Sequence, residues 1–453
     1  MRGYSNWDYR PYTPVNKRKV GPNICRLAPS ENSCEIECLG KDDRLTLFYT
    51  IRNLSDWKNV SAKVEIQKKQ QYLFLLNRLA PDTEYECYVE DGEKRRSALR
   101  LFRTGKQVGR VINYLHPEDE AYGFSGKYLC SPCIIRLPDE TLLASMDVFA
   151  GNAPQNLTLL FQSVDDGENW NYVTDIFPCF WGKMFWHQGK LFMLGVSREY
   201  GDLLIGFSDD KGKTWSEPSV LLRGSCFSQS DGNHRAPTVV LKSHGRLWTG
   251  TEYGSWSNGK FFSSLLSIDE KDNPMIPENW CFTEWSDTKK CILHGSTDLP
   301  GGIEGNAVEL PDGTVANLLR YNANQAILMR ADPEYPEKEL VFQQIVDAPF
   351  AHTKFEIIRN SDGTYYGCGN PAPGRNVLAL FKSDDCLNWE YMTDIINHAE
   401  CDIEEVGFQY PSICISKDTL YVLSRTAWNH AHNYHDSNCI TFHKVLLKNY
   451  KRD

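Results

Sequence analysis

The feature that most constrains this chain is a hairpin that recurs six times after residue 125. Each time an apolar run meets a short polar turn, and a second apolar run follows. The turns are Asp139-Glu140, Gln188-Gly189, His244-Gly245, Asp312-Gly313, Asp362-Gly363 and Lys417-Asp418, spaced by 49, 56, 68, 50 and 55 residues. A four-stranded antiparallel unit recurs with a period of roughly 40 to 60 residues, so each repeat predicts one such unit. Units of this kind bury their faces only by stacking on their neighbours. The expected architecture is all-β: a six-bladed β-propeller.

The second half of several repeats carries its own turn. Ser208 to Trp215 reads S-D-D-K-G-K-T-W and fits S-x-D-x-G-x-T-W at every specified position. Ser163 to Trp170 is a close second copy, and Ser383 to Trp389 is a shortened third without the Gly. Ser267 and Asp269, with Asn279 and Trp280, suggest a fourth copy split by an insertion. Ser and Asp bond their own backbone in a tight turn, Gly takes a positive φ, and Trp packs between strands. Asp165, Asp210 and Asp385 are therefore assigned to turn building rather than to chemistry.

The first ~105 residues differ in pattern. Strand-like alternation at Arg44 to Ile51 and Ser61 to Gln67 is followed by L-N-R-L-A-P-D-T-E-Y-E-C-Y-V from Leu76 to Val89, then Leu101-Phe-Arg-Thr-Gly105. Short strands separated by turn signals predict a β-sandwich. The expected division is 1–105 for this small domain and 106–453 for the propeller.

Composition narrows the function classes. Aromatic residues make up 12% of the chain, which suits both β-sheet and a carbohydrate site where ring faces stack on sugars. The net charge is −10 and no basic run occurs, which argues against nucleic acid as a partner. No apolar stretch approaches membrane-spanning length, and Met1 to Pro11 is polar and aromatic. The expectation is a soluble protein, cytoplasmic, or secreted or periplasmic after loss of an export signal. The fifteen cysteines show no C-x-x-C pair, and several, such as Cys133, Cys414 and Cys439, lie in apolar runs. Reduced thiols acting as small hydrophobes are expected. A disulfide among Cys25, Cys34, Cys38 and Cys87 is the alternative.

The repeat also sorts residues by the end of the unit they occupy. Counting eight back from each turn gives the first-strand starts: Ser131, Phe180, Ala236 beside Arg235, Glu304, Lys354 beside His352, and Tyr410. Counting eight forward gives Asp147, Glu252, Arg320, Asn370 and Arg425, with Arg198 in the longer second repeat. Charged, amide and aromatic groups concentrate at this end, the pattern of a working site on a rigid scaffold. His187 and His244 fall at the opposite turns. His234, His352, His430, His432 and His435 fall near the charged end. The run H-A-H-N-Y-H-D from His430 to Asp436 matches no defined zinc spacing, so sugar contacts or acid–base work are expected of it, with no metal and no cofactor.

These motifs resemble the sialidase superfamily of glycoside hydrolases and its Asp boxes, and the L-x-P-x-T-x-Y-x-C-x-V phrase resembles a fibronectin type III domain. In sialidases a Glu stands five positions before a V-E-L-x-D-G hairpin and an Arg eleven after the inner Glu. Here Glu304 and Arg320 hold those places around Glu309. The family's nucleophilic Tyr corresponds to Tyr410, and Pro373-Gly-Arg375 resembles the site of another family Arg. The resemblance implies that Glu304 draws a proton from Tyr410 and that the phenolate attacks an anomeric carbon. Asp147 is the expected acid and Glu252 a second candidate. Arg198, Arg235, Arg320, Arg375 and Arg425, with Glu252, His352, His432 and His435, are the expected substrate contacts. Two positions depart from the family. Cys130 stands where the F-R-I-P Arg would grip a sugar carboxylate, and Gly151 to Thr158 offers no carboxylate for the family's acid. The expected activity is exo-hydrolysis of a terminal acidic or unusual sugar from an oligosaccharide or glycoconjugate. A polysaccharide lyase and a non-catalytic sugar-binding propeller are the alternatives.

Overall fold

A computed structural model describes residues 21–41, 44–61, 64–66, 70–149, 153–225, 230–291 and 301–450. The readings of Met1 to Pro11 and of part of Ser61 to Gln67 fall outside them. Among the described residues the regular structure is strands and a few one-turn 3-10 segments, and no helix is long and apolar enough to cross a membrane.

Every one of the six short turns joins two paired strands. Tyr128–Arg136 pairs with Leu142–Phe149, Phe180–His187 with Lys190–Val196, and Ile303–Glu309 with Val315–Asn322. Glu356–Arg359 pairs with Tyr365–Gly369 and Gly407–Ser416 with Thr419–Ala427, while in the third repeat Leu241–Ser243 pairs with Arg246–Ser255. Turn chemistry explains the placement. Gly189, Gly245, Gly313 and Gly363 take φ of 79°, 67°, 82° and 94°, the left-handed region that tight hairpins require. Each hairpin continues into two further antiparallel strands, giving six successive sheets, five of four strands and one of five. The sixth is completed by Arg110–Tyr114, a strand that precedes the first sheet in sequence and pairs with Cys439–Leu446. That exchange ties the last of the six sheets to the segment that leads into the first.

Adjacent sheets share apolar layers. Phe185 and Leu194 of the second pack with Leu247 and Leu266 of the third. Ala316 and Leu328 of the fourth pack with Ile357 and Phe381 of the fifth. Tyr421 and Phe442 of the sixth join Met146 and Phe161 of the first. The Ser-x-Asp turns knit the outer strands. Ser208 Oγ bonds Asp210 at 2.9 Å and accepts from Gly212 N at 2.8 Å, and Trp215 Nε1 donates to Gly212 O at 2.9 Å. Ser163, Asp165, Gly167 and Trp170 repeat that set. In the shortened copy Asp385 still accepts from Leu387 N and Asn388 N, but Trp389 Nε1 is buried without a hydrogen-bond partner, unlike Trp215 Nε1.

The N-terminal strands form two four-stranded sheets around one core that includes Leu47, Phe74, Tyr85, Cys87 and Phe102. Glu37 and Gln71 of this unit bond Tyr172 of the first sheet of the ring, at 3.0 and 2.9 Å. Every cysteine whose side chain is described is free, Cys25, Cys34, Cys38 and Cys87 included.

A buried ionic cluster joins three of the sheets. Lys183 Nζ of the second sheet meets Glu356 Oε1 of the fifth at 2.5 Å, and Lys354 Nζ is 3.9 Å from the other carboxylate oxygen. Ile413 N of the sixth sheet donates to Glu356 Oε2 at 2.8 Å, and Lys354 donates to the carbonyl of Pro411. Three sheets thus meet on one carboxylate.

Candidate active site

Four first strands carry the same irregularity. Register shifts occur at Cys130/Cys133, Phe180/Lys183, Ile303/Asn306 and Gln409/Ser412. At each, one non-glycine residue turns left-handed: Ser131, Trp181, Glu304 and Tyr410, with φ of 48°, 52°, 55° and 51°. Such a conformation costs about 1–3 kcal/mol, and a bulge re-aims a side chain out of the alternating pattern. All four side chains line one cavity of about 460 Å³. Its wall also includes Phe149, Glu199, His234, Arg235, Trp256, Arg425 and His435.

Glu304 and Tyr410 face each other there. Glu304 Oε2 accepts from Arg320 Nη1 at 2.9 Å, and the same guanidinium reaches the Tyr410 hydroxyl at 3.4 Å. The Tyr410 phenol and the Glu304 carboxylate also act on each other electrostatically. Burial works to raise the Glu304 carboxyl, but Arg320 outweighs it and holds Glu304 below the usual carboxylate range. Burial and then the charge of Glu304 push the Tyr410 phenol up, opposed by Arg320, Arg375 and Arg425. At rest the pair is a neutral phenol against a carboxylate. Gly305 lets the bulge pack tightly, since a Cβ there would lie 2.1 Å from Asn317 Oδ1.

The arginines divide by role. Arg425 lies over the rings of Phe149 and Tyr410, 4.5 and 5.1 Å from their centroids, and donates to His435 O. Its charge also acts on Cys130, so a guanidinium from the sixth sheet stands beside the residue that departs from the family. Arg375 covers Tyr434 at 5.0 Å and donates to Gln409. Arg235 lines the cavity but donates to Leu194 O and Thr249 Oγ1, and burial lowers it to about 10. Arg198 sits one residue from Glu199 and does not line the cavity. His352 lies outside the wall, lowered by burial and by the nearby Arg375 and Arg320.

The carboxylates expected as acids stand back from the cavity. Asp147 is 1% exposed and is not part of the wall. It accepts from Thr158 Oγ1 at 2.5 Å and from Trp181 N at 2.7 Å, so it pins the bulge that presents Trp181. Burial pushes its carboxyl up to about 8 from 3.8. Because the folded value is the higher, this contribution is full below about pH 3.8 and is lost as pH rises through about 8. The melting temperature should therefore fall across that window, and Asp147→Asn should flatten the slope; an unchanged slope would remove Asp147 as its source. Glu252 is fully buried and bridges His234 Nδ1, at 2.9 Å, and Gly305 N, at 3.1 Å. It thereby orients a histidine of the wall and the bulge that carries Glu304.

His432 and His435 both bond Asp436, at 2.7 and 2.9 Å, and His432 stacks on Tyr128. His435 and Asp436 reach the wall, while His432 does not. Among the described residues the one grouping with metal-ligand proximity is His398, Glu400 and Cys401, away from this cavity.

Counting along the strands missed Glu199, Trp181 and Trp256. Glu199 is the cavity's third carboxylate. Gln155 Nε2 donates to its Oε2 at 2.7 Å, and burial raises its carboxyl, with His234 and Arg198 opposing. The adjacent Arg198 marked this loop, but nothing in the sequence distinguishes which of the two neighbours faces inward.

No family model and no curated protein matches this sequence. Solved structures do. The chain is similar to an α-L-arabinanase from Penicillium chrysogenum, at 13% identity over 76% of this chain and 99% of that one, with a TM-score of 0.50. It is also similar to a Hadza microbial sialidase, at 13% identity over 97% of this chain and 96% of that one, with a TM-score of 0.52. At such identities the likeness shows the fold: these neighbours are propeller glycoside hydrolases, and this chain is an all-β protein of propeller type.

Proposed function

We propose that this chain is an exo-acting glycoside hydrolase of the sialidase-like type that removes a terminal acidic sugar. The six sheets are read as six blades, the Ser-x-Asp turns as Asp boxes, and residues 1–105 as a fibronectin type III-like module that spaces or binds. The observation that carries the reading is that Glu304 and Tyr410 line one cavity and meet on Arg320, which lies behind its wall, with Arg375 and Arg425 acting on the same phenol. Glu304 takes the phenolic proton as Tyr410 Oη bonds to the anomeric carbon. The glycosidic bond breaks and its electron pair stays on the departing oxygen, which takes a proton from an acid in the wall. Water then reverses the step, and Tyr410 recovers its proton from Glu304. A neutral nucleophile avoids repulsion by a sugar carboxylate, and the guanidinia neutralise that carboxylate. Arg425, set against Phe149 beside Cys130, stands in for the arginine that Cys130 replaces.

The test is a screen of 4-nitrophenyl glycosides of nonulosonic and hexuronic acids, with an arabinofuranoside as the neutral control, together with acidic oligosaccharides. Release of a free terminal acidic sugar is the expected result. New ultraviolet absorbance from an unsaturated uronate would instead identify a lyase, and binding without turnover a lectin-like protein.

A further inference from the structure

Hydrolysis at Tyr410 needs a proton donor on the leaving-group side, and neither the first-sheet loop nor Asp147 offers one to the cavity. Among the described residues the carboxylates in the wall are Glu304, Asp436 and Glu199. Glu304 is committed to Arg320 and Tyr410. Asp436 accepts from His432 and His435 and is held low, at about 2, despite burial. Glu199 has one bond, from Gln155 to Oε2.

The surroundings of Glu199 fit the role. It comes from the loop after the second sheet's second strand. Around it stand His234, whose Nδ1 is occupied by Glu252, and Trp181 and Trp256 on the second and third sheets. Trp256 is 45% exposed at the tip of the long hairpin Arg246–Ser255 and Lys260–Asp269, with Phe261 edge-on at 5.5 Å and its backbone N on Tyr200 Oη at 3.2 Å. An exposed indole fixed from behind is a stacking face for a pyranose ring. The cationic groups acting on Tyr410 come from the fourth, fifth and sixth sheets, whereas Glu199, Trp181 and Trp256 belong to the second and third.

We propose that Glu199 is the proton donor to the leaving glycosidic oxygen and that the departing sugar stacks on Trp256. This rests on the hydrolase reading above. As the bond breaks, the Glu199 proton moves to the glycosidic oxygen. In the second half of the cycle the Glu199 carboxylate takes a proton from the attacking water and so returns to its starting state. Burial, which favours the protonated form of Glu199, agrees with that order.

The experiment compares Glu199→Gln with the wild type on a disaccharide and on the 4-nitrophenyl glycoside of the same terminal sugar. Nitrophenolate leaves without help, so in the bond-breaking half of the cycle a missing acid is felt only with the sugar leaving group. The ratio kcat/KM reports that half alone, whereas kcat also carries the water step that both substrates share. The expected result is a fall of about 10²–10⁴-fold in kcat/KM on the disaccharide and a far smaller loss of kcat/KM on the nitrophenyl glycoside. The alkaline limb of the disaccharide pH profile should vanish with it, since that limb reports deprotonation of Glu199 facing His234 and Arg198. Trp256→Ala should raise KM for the disaccharide more than for the nitrophenyl glycoside, and an equal change in both would remove Trp256 as the stacking face. Equal losses of kcat/KM on both substrates, no loss on either, or the leaving-group pattern in His234→Gln would overturn the assignment of Glu199. Tyr410→Phe separates the two claims. If it is inactive on both substrates, the behaviour of Glu199→Gln judges Glu199 alone. If it matches the wild type, Tyr410 is not the nucleophile, and the mechanism on which this proposal rests falls and takes it along.

Discussion

Tyr410→Phe should lower kcat on any glycoside the wild type cleaves by about four orders of magnitude, with KM changed little. The substitution removes one oxygen. The ring that meets Arg425 at 5.1 Å remains, and so does the Arg320–Glu304 pair at 2.9 Å. Fold and cavity shape are therefore retained while the atom that attacks is gone. Glu304→Gln differs in kind. It removes the base and also leaves the buried Arg320 without its counter-charge, so loss of activity should come with loss of stability. Because Glu304 is held below its ordinary value, its stabilising effect is full above about pH 4.5 and fades as pH falls through the folded value. Steady-state kinetics and thermal melts of the two variants separate these effects. A Tyr410→Phe protein with wild-type kcat would exclude the phenol as nucleophile.

The hairpins were legible because their turns obey local chemistry: His244-Gly245 and Asp312-Gly313 need positive φ and carry residues that tolerate it. The bulges were not. Ser131, Trp181, Glu304 and Tyr410 are left-handed without being Gly or Asn, so no residue type announces them. Glu304 and Tyr410 were reached by counting from the turns and through the family resemblance, and counting holds while the pairing is regular. It fails where a bulge breaks the alternation. Asp147 pairs with Cys130 at the edge of such a break and lies behind the wall that Ser131 and Trp181 form. Glu199 escaped for the complementary reason: it lies past the strand end, where spacing assigns no direction. Lys354 was read as a residue of the charged end, yet it points into the packed centre. Its partners are set by sheets that meet across the ring, and no spacing along the chain encodes that.

That centre gives the second large effect. Glu356→Gln should destabilise the protein by about 3–5 kcal/mol, because two ammonium groups lose the carboxylate that is paired with them. Burial works to raise Glu356, but Lys183 and Lys354 outweigh it and keep the carboxyl low. Burial lowers Lys354 as well, and Glu356 is the first group opposing that. With Gln in place, Lys183 and Lys354 must either stay charged and unpaired or give up protons, and both cost stability. The same argument predicts a rescue. Lys183→Met, Lys354→Met and Glu356→Leu together leave no buried charge, so the triple variant should melt well above Glu356→Gln and near the wild type. The remaining difference measures what the cluster does for the site. Lys354 donates to Pro411 O, the carbonyl next to Tyr410, and Ile413 N is held by Glu356 at 2.8 Å. If the cluster serves only packing, the triple variant should turn over substrate like the wild type. If it also fixes the left-handed bulge at Tyr410, kcat should fall in a protein that melts normally. A Glu356→Gln protein as stable as the wild type would show that the lysines find other compensation, and the cluster would then carry neither role.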